Sequence, residues 1–340
     1  MTGGAPTDST TRIPAAFDHR IRPATPDDLP TCAAIWRDAL NDYLGRLAQP
    51  EVPDDLGAIL RLYDHLLSTD PGTFLVAERP AAGGGAAIDA FVAVVRRERL
   101  TFLSMLFVRP PAQGRGLGRA LLAQAMPARD AGPGADGDRD HQGSNATATD
   151  SAQPISNALY GSLGMVPRMP LLRLVGLPER PEALPDLPAG IDAIPFDEIA
   201  DGTNGLGRSA LAAELSDLDT DAAGFDRTVD HVFHRAEGRV GFLLRDRDGR
   251  SAGYGYSSEA GRVGPAAVRD PDLLGPLVGH LVRAVRPRGA FGLWVPGAAG
   301  DVVVPLLRAG FRLESFPVLL CWDRPFADFS RYIPASPGLL

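Results

Sequence analysis

The segment Leu100–Met126, LTFLSMLFVRPPAQGRGLGRALLAQAM, contains an apolar run, a glycine-rich stretch and an amphipathic run in immediate succession. The apolar run ends at Val108, a turn follows at Arg109–Pro111, and a helix-like run begins near Gly118. This order predicts a strand, a glycine-rich loop and a helix. Backbone N–H groups in such a loop can face an anion, and the dipole of the helix favours negative charge there.

Three kinds of phosphate-binding loop can be compared with this segment. A Walker loop needs Lys and then Ser or Thr after its last glycine, but Gly118 is followed by Arg119. A dinucleotide-binding loop needs GxGxxG after a parallel strand, whereas Gly114–Gly118 has the spacing GxGxG and its neighbouring strands are predicted to be antiparallel. The sequence therefore favours a pyrophosphate-binding loop, in which Arg115 and Arg119 add charge-assisted contacts.

The segment Val108–Gly118 resembles the acetyl-CoA-binding motif of the GNAT superfamily of N-acyltransferases. Gln113, Gly116 and Gly118 occupy the three signature positions. The resemblance covers about residues 19–175. It implies that the last residues of the strand pair with the pantetheine arm and that the loop amides bind the pyrophosphate.

A second motif of the same superfamily is similar to Ser156–Met165. Asn157 and Tyr160 match its Asn and Tyr, whereas Met165 stands where Phe is usual. Helical spacing puts Asn157 and Tyr160 on one face. The resemblance implies that Tyr160 is the general acid that protonates the departing thiolate; a core tyrosine that anchors the short helix is the alternative.

The resemblance thus predicts one catalytic residue, Tyr160, and a set of acetyl-CoA-binding residues. That set consists of Leu106, Phe107, Val108, Gln113, Gly114, Arg115, Gly116, Leu117, Gly118, Arg119 and Asn157.

A general base is not evident. Leu100–Met105 contains no carboxylate, and Glu98 lies in an arginine-flanked turn, where a solvated surface role is expected. Deprotonation could use a water held by Ser104 or by backbone carbonyls, or the amine could arrive neutral. We assign no base from the sequence.

No metal site is predicted. The spacing of His231 and His234 could suit a shared metal, but a third ligand is not evident, and the two are expected to form a pair on a helix surface. Asp246–Gly249 is predicted to be a hairpin turn, because the further ligand positions of a calcium loop are missing.

The chain has 340 residues, which suggests two domains, and the order of predicted elements is the same in both halves. We expect an α/β (α+β) protein with two GNAT-like domains, each a mixed, mostly antiparallel sheet flanked by helices. The expected parts are a flexible tail (1–17), an acetyl-CoA-binding domain (18–176), a Pro-rich linker (177–190) and a degenerate second domain (191–335). A mobile loop is expected at Ala131–Asp140, and a final strand at Arg312–Trp322.

The second half has lost the motifs. Leu306 stands where Tyr160 is expected, and the loop position holds Asp270 and Asp272, which would repel a pyrophosphate, and Pro276, which lacks an amide N–H. We therefore expect this domain not to bind acyl-CoA. Its expected role is to pack on the first domain and to form one side of the acceptor site.

Composition limits the class of protein. Hydrophobic residues make up 44% of the chain and charged residues 22%, the net charge is -8, and every basic residue of the Lys/Arg type is Arg. This balance is typical of a soluble globular protein, and no basic patch suggests nucleic acid. No apolar run is long enough to cross a membrane, Met1–Ala16 lacks signal-peptide features, and Cys32 and Cys321 suggest no disulfide.

From these observations we expect a cytoplasmic N-acetyltransferase, monomeric or homodimeric, that acts on a small-molecule or peptide amine and uses acetyl-CoA without a metal. The alternative is an acyl-CoA-binding sensor or scaffold protein without turnover, because no carboxylate lies on the strand before the loop.

Overall fold

The computed structural model describes residues 19–81, 84–126, 143–200, 207–314 and 316–340. The expected tail at Met1–Ala16 and the expected loop at Ala131–Asp140 lie outside these residues. Within the described part of the chain, no helix combines the length and the apolar character needed to cross a membrane.

The fold is mixed, with helices flanking mostly antiparallel strands, as the sequence predicts. The elements of the first half are β1 (Arg20–Pro23), α1 (Leu29–Arg46), α2 (Gly57–Thr69), β2 (Phe74–Pro80), β3 (Ala86–Arg97), β4 (Leu100–Val108), α3 (Leu117–Ala125), β5 (Ser144–Asp150), α4 (Pro154–Gly161) and β6 (Val166–Gly176). Those of the second half are β7 (Asp192–Pro195), α5 (Phe196–Ala200), α6 (Arg208–Ala222), α7 (Thr228–Ala236), β8 (Val240–Arg245), β9 (Ser251–Ser257), β10 (Arg262–Val268), α8 (Leu274–Ala284), β11 (Phe291–Pro296), α9 (Gly300–Ala309), β12 (Arg312–Leu313), β13 (Val318–Trp322) and β14 (Tyr332–Ile333).

The residues of the chain group into two compact units according to which residues contact each other in space. One contains the described residues of 19–67, 71–92 and 106–126, and the other contains those of 68–70, 93–105 and 143–340. The expected domain bounds divide the chain by the repeated order of its elements, whereas these units group residues by spatial contact. The expected bounds therefore stay a prediction.

The smaller unit contains β1, β2 and the first part of β3. β1 runs antiparallel to β2, from Arg20 opposite Glu78 to Pro23 opposite Leu75. Its core is aromatic: Tyr63 of α2 makes edge contacts with Phe74 and Phe91, whose ring centroids lie 5.9 and 5.3 Å away. Such pairs add about 0.5–1.5 kcal/mol to the free energy gained from burial.

The larger unit contains a sheet in the order β4-β5-β13-β6-β11-β10-β9-β8-β7. The pairs β4–β5 and β10–β11 are parallel, and the other neighbours in this series are antiparallel. Each half of the chain therefore has one parallel pair at the corresponding place. Helix α8 packs its apolar face, including Leu277 and Leu281, into the core of the second half.

The end of the chain differs from the sequence prediction. The single strand expected at Arg312–Trp322 is two strands, β12 and β13. β12 pairs with β6, whereas β13 lies between β5 and β6, with Leu320 opposite both Ala148 and Met169. The last long strand of the second half thus completes the sheet of the first half.

Candidate active site

Two glycines shape the loop that joins β4 to α3. Gly114 has φ +74° and Gly116 has φ +85°, which is the left-handed region that favours glycine. Gly116 is the residue just before α3, and its carbonyl accepts the hydrogen bond of the Ala120 N–H. The predicted strand, glycine-rich loop and helix are therefore all present.

The loop presents a series of unused donors. Within the described residues, none of the backbone N–H groups from Gly114 to Arg119 makes a backbone or side-chain hydrogen bond. The Arg115 and Arg119 side chains are exposed and have no ion-pair partner in the same part of the chain. Free amides at a helix N-terminus beside two unpaired guanidinium groups are suited to an anion with several oxygens.

The end of β4 is held firmly next to this loop. The ring of Phe107 stacks on Phe91 at 5.8 Å between centroids. The Gln113 side chain donates from Nε2 to the Val108 carbonyl over 2.9 Å. A Cβ placed on Gly118 would lie 3.7 Å from Leu106 and 3.8 Å from Val108, which is ordinary contact. Leu106–Arg119 therefore forms one ordered strand end and loop within the smaller unit.

The pairing of β4 with β5 is short. It runs from Leu100 opposite Ser144 to Leu103 opposite Thr147. Beyond this point β4 continues to Val108 and β5 continues to Asp150, but among the described residues the two strands have no further positions paired with each other. Strands that separate in this way leave backbone N–H and C=O groups that a ligand can pair with.

Asn157 and Tyr160 lie on α4, in the larger unit. The Asn157 amide nitrogen donates to the carbonyls of Asp150 (3.0 Å) and Gln153 (2.8 Å), so it fixes the turn between β5 and α4. Its Oδ1 is buried and has no hydrogen-bond partner within the described residues. An acceptor atom of this kind remains available to a ligand N–H group.

Tyr160 is 6% exposed. Burial raises the pKa of its phenol above the ordinary value of 10, and a hydrogen bond with Ser156 offsets part of this effect. The hydroxyl therefore keeps its proton at neutral and moderately alkaline pH. That is a requirement for a proton donor, although a core tyrosine would show the same shift.

In the second half, β10 holds the place that β4 holds in the first half, and its free part is paired with a later strand of the same chain. β10 pairs with β11 only at Arg262 and Val263, and β14 then runs antiparallel to β10, with Ile333 opposite Ala266. The Val268 N–H donates to the Arg331 carbonyl over 3.0 Å. In the first half, backbone groups beyond the β4–β5 ladder are free within the described part of the chain. In the second half, the backbone groups at the equivalent place on β10 are hydrogen-bonded to the β14 segment.

The expectation that His231 and His234 form a pair on a helix surface is wrong. Both side chains are buried, at 4% and 0% exposure. His231 lies between Asp219 (2.8 Å) and the Tyr256 hydroxyl (2.9 Å), and Asp219 also accepts a hydrogen bond from Tyr254. These polar partners compensate for burial, a pattern that helical spacing alone does not reveal. No group of three potential metal ligands occurs in the described residues.

One contact at the end of the β4–β5 ladder is not predicted by the sequence. The Ser104 hydroxyl donates to the Gly338 carbonyl over 2.5 Å, and both residues belong to the larger unit. They are 234 positions apart, and no motif or spacing in the sequence connects them.

This combination of separating strands, glycine-rich loop and helix defines a GNAT-type fold. Residues 70–164 match the family model described as Acetyltransferase (GNAT) domain. The resemblance inferred from the two motifs is therefore confirmed for residues 70–164, the part of the chain that matches this model. No curated protein matches the chain in sequence.

Solved structures extend the similarity over the whole chain. A putative acetyltransferase from Pyrococcus horikoshii is 14% identical, with a TM-score of 0.67, and the match covers 98% of this chain and 100% of that one. A GCN5-related N-acetyltransferase from Sphaerobacter thermophilus is 20% identical, with a TM-score of 0.55 and coverage of 92% and 98%. A tandem GNAT protein from the clavulanic acid biosynthesis pathway is 16% identical, with a TM-score of 0.52 and coverage of 90% and 99%. The TM-scores and the coverage show that this chain shares the fold of these structures.

Proposed function

We propose that the protein is an N-acetyltransferase that uses acetyl-CoA bound at Leu106–Arg119. The observation that carries the proposal is the run of unused amides from Gly114 to Arg119, beside the unpaired side chains of Arg115 and Arg119. Pyrophosphate has the charge and the oxygen atoms to use these donors. The strand end Leu106–Val108 supplies backbone groups for the amides of the pantetheine arm.

In the proposed reaction, the amine nitrogen attacks the thioester carbonyl carbon. The N–C bond forms, the C–S bond breaks, and the thiolate takes a proton from Tyr160. Backbone N–H groups of the strand stabilise the oxyanion. The proton that the amine loses goes to water, and Tyr160 regains a proton from solvent. The raised pKa of Tyr160 supports this role, because the phenol enters each cycle protonated.

The test combines binding with turnover. Calorimetry with acetyl-CoA and release of free thiol in the presence of a panel of amines should both give a signal. Binding without thiol release from any amine would instead support the acyl-CoA sensor. No binding of CoA at all would contradict both functions.

Tyr160→Phe tests the general acid. We expect the turnover rate to fall about 100-fold or more, because general acid catalysis contributes about 10²–10⁴-fold, while binding of acetyl-CoA stays unchanged. Tyr63→Phe is a matched control, since the Tyr63 hydroxyl is buried and has no hydrogen-bond partner within the described residues. An unchanged rate in Tyr160→Phe would remove the role assigned to this residue.

A further inference from the structure

A cavity of about 420 Å³ lies within the smaller unit, where β2 ends and β3 begins. This volume is within the range of about 300–1,000 Å³ that is usual for small-molecule sites. Positive and negative side chains are equally frequent in its wall, which is therefore close to neutral overall. The lining includes three arginines and three carboxylates: Arg22, Arg79, Arg109, Asp28, Glu78 and Asp89.

The cavity and helix α3 are on opposite faces of the sheet. Asp89 and Phe91 are two positions apart on β3, so their side chains share a face, and Phe91 stacks on Phe107 at that face. The next residue of β4, Val108, points the other way, and its side chain would lie 3.8 Å from a Cβ on Gly118 of α3. The cavity is therefore separate from the N-terminus of α3, where the pyrophosphate is proposed to bind.

Asp89 brings a buried carboxylate into this cavity. The residue is 4% exposed, and its Oδ2 accepts a hydrogen bond from Arg79 Nε over 2.5 Å and lies 3.0 Å from His19 Nε2. Burial acts to raise the pKa of Asp89, but these two hydrogen bonds outweigh it and hold the pKa below 3.8, so the carboxylate is charged at neutral pH. Oδ1 makes no hydrogen bond within the described residues, since Arg109 Nε is 3.9 Å away. This oxygen is available to a donor group of a ligand.

The two arginines beside Asp89 keep unused donors. Arg79 uses Nε on Asp89 and Nη1 on the Pro80 carbonyl at 3.5 Å, and Arg109 uses Nη1 on Asp38 at 2.8 Å. The Nη2 groups of both arginines make no hydrogen bond in the part of the chain that the structure describes. Guanidinium groups with free N–H donors are suited to a carboxylate.

The third arginine of the cavity has a structural role. Arg22 donates to both oxygens of Asp28, at 2.7 and 3.0 Å, and to Glu78 at 2.7 Å. These contacts hold the wall of the cavity in place. A ligand that enters accordingly meets Asp89, Arg79 and Arg109 as partners with unused atoms.

We propose that this cavity binds a free α-amino acid, with its ammonium group on Asp89 Oδ1 and its carboxylate on Arg79 and Arg109. Arg109 Nε and Asp89 Oδ1 are only 3.9 Å apart, so the two charges of the ligand must be close together, as they are when one carbon carries both. A zwitterion preserves the charge balance of the wall, whereas a lone amine or a lone acid would add one uncompensated charge. The inference goes beyond the proposed acetyltransferase function and does not depend on it.

Binding is measured on the full-length protein in the absence of acetyl-CoA. Thermal unfolding in the presence of each common L-amino acid in turn should give a raised Tm for at least one of them, and calorimetry then gives its dissociation constant. The corresponding amine without the carboxylate, and the acid without the amino group, should each bind at least about tenfold more weakly, because each lacks a charge-assisted contact. Binding of no amino acid, or equal binding of either analogue, would overturn the proposal.

Asp89→Asn tests the ammonium contact. It should abolish the difference in affinity between the amino acid and the analogue that lacks the amino group, and an undiminished difference would contradict the assignment. Arg79→Gln, at a partly exposed side chain, gives a second reading if Asp89→Asn does not fold, and it should weaken binding of the amino acid about tenfold. Arg46→Gln is the matched control, because it removes the same charge from the exposed end of α1, where Arg46 pairs with Asp42. Equal weakening in the two arginine variants would overturn the proposal, because net charge alone would then explain both.

Thiol release separates this cavity from the acceptor site. Arg79→Gln should lose amino acid binding and keep the wild-type rate of thiol release. A parallel fall of both would identify the cavity as the acceptor site and overturn the proposal of a separate one. A wild-type protein that binds no CoA would contradict the proposed function, whereas the amino acid titration would still decide this inference.

Discussion

At the residue scale, two glycines of the loop have different requirements. Gly116 has φ +85°, where a side chain is strained, whereas a Cβ on Gly118 would make only ordinary contacts at 3.7 Å or more. Gly116→Ala should therefore lower the free energy of unfolding by about 1–2 kcal/mol. Gly118→Ala should keep it or raise it slightly, because alanine favours a helix.

Thermal or denaturant unfolding of the two variants checks this prediction, with the wild type as reference. Equal losses in both would show that the left-handed conformation at Gly116 is not what distinguishes them.

The element scale shows how α1 begins. The Asp28 carboxylate accepts hydrogen bonds from the Thr25 N–H (2.7 Å) and hydroxyl (2.8 Å), and from the Arg22 guanidinium at 2.7 and 3.0 Å. The Arg22 hydrogen bond is the largest cause that lowers the pKa of Asp28 from 3.8 to about 2. The sequence indicates this start, because Thr25, Pro26 and Asp28 stand in capping positions, but it does not reveal the partner Arg22 on β1.

Asp28→Asn should reduce the free energy of unfolding by ~2 kcal/mol at pH 7, since each pKa unit corresponds to about 1.4 kcal/mol. A lowered carboxyl pKa stabilises the fold above the unfolded value, so the difference from wild type should be full above about pH 4 and vanish as the pH falls to about 2. Denaturant unfolding across this pH range measures it. Asp27→Asn, at an exposed neighbouring position, is the control and should cost little stability at pH 7; a similar loss there would contradict the assignment.

Across the whole molecule, local elements are predictable and long-range pairings are not. The loop at Gly114–Gly118 and the helix of Tyr160 follow from hydrophobic periodicity and turn residues. The place of β13 between β5 and β6 depends on the pairing of residues more than 140 positions apart, which no local pattern encodes. The same holds for Ser104 and Gly338, and for the polar partners that allow His231 to be buried.

The position of β13 predicts that the first half does not fold alone. A fragment that ends at Gly176 would leave the facing edges of β5 and β6 without their partner, and such edges favour aggregation. We expect this fragment to lack a cooperative unfolding transition. As a control, full-length protein cleaved after folding within residues 177–190 should keep its two pieces associated and its transition intact. A cooperative transition in the isolated fragment would disprove the dependence on β13.

The same strand has a consequence for synthesis on the ribosome. β5 and β6 leave the exit tunnel long before Val318–Trp322 is translated, and at 5–20 residues per second the interval is on the order of ten seconds. During that time the nascent chain exposes two strand edges that only the distant strand can cover. Chaperone binding to the nascent chain should therefore peak within this interval and end once β13 has emerged.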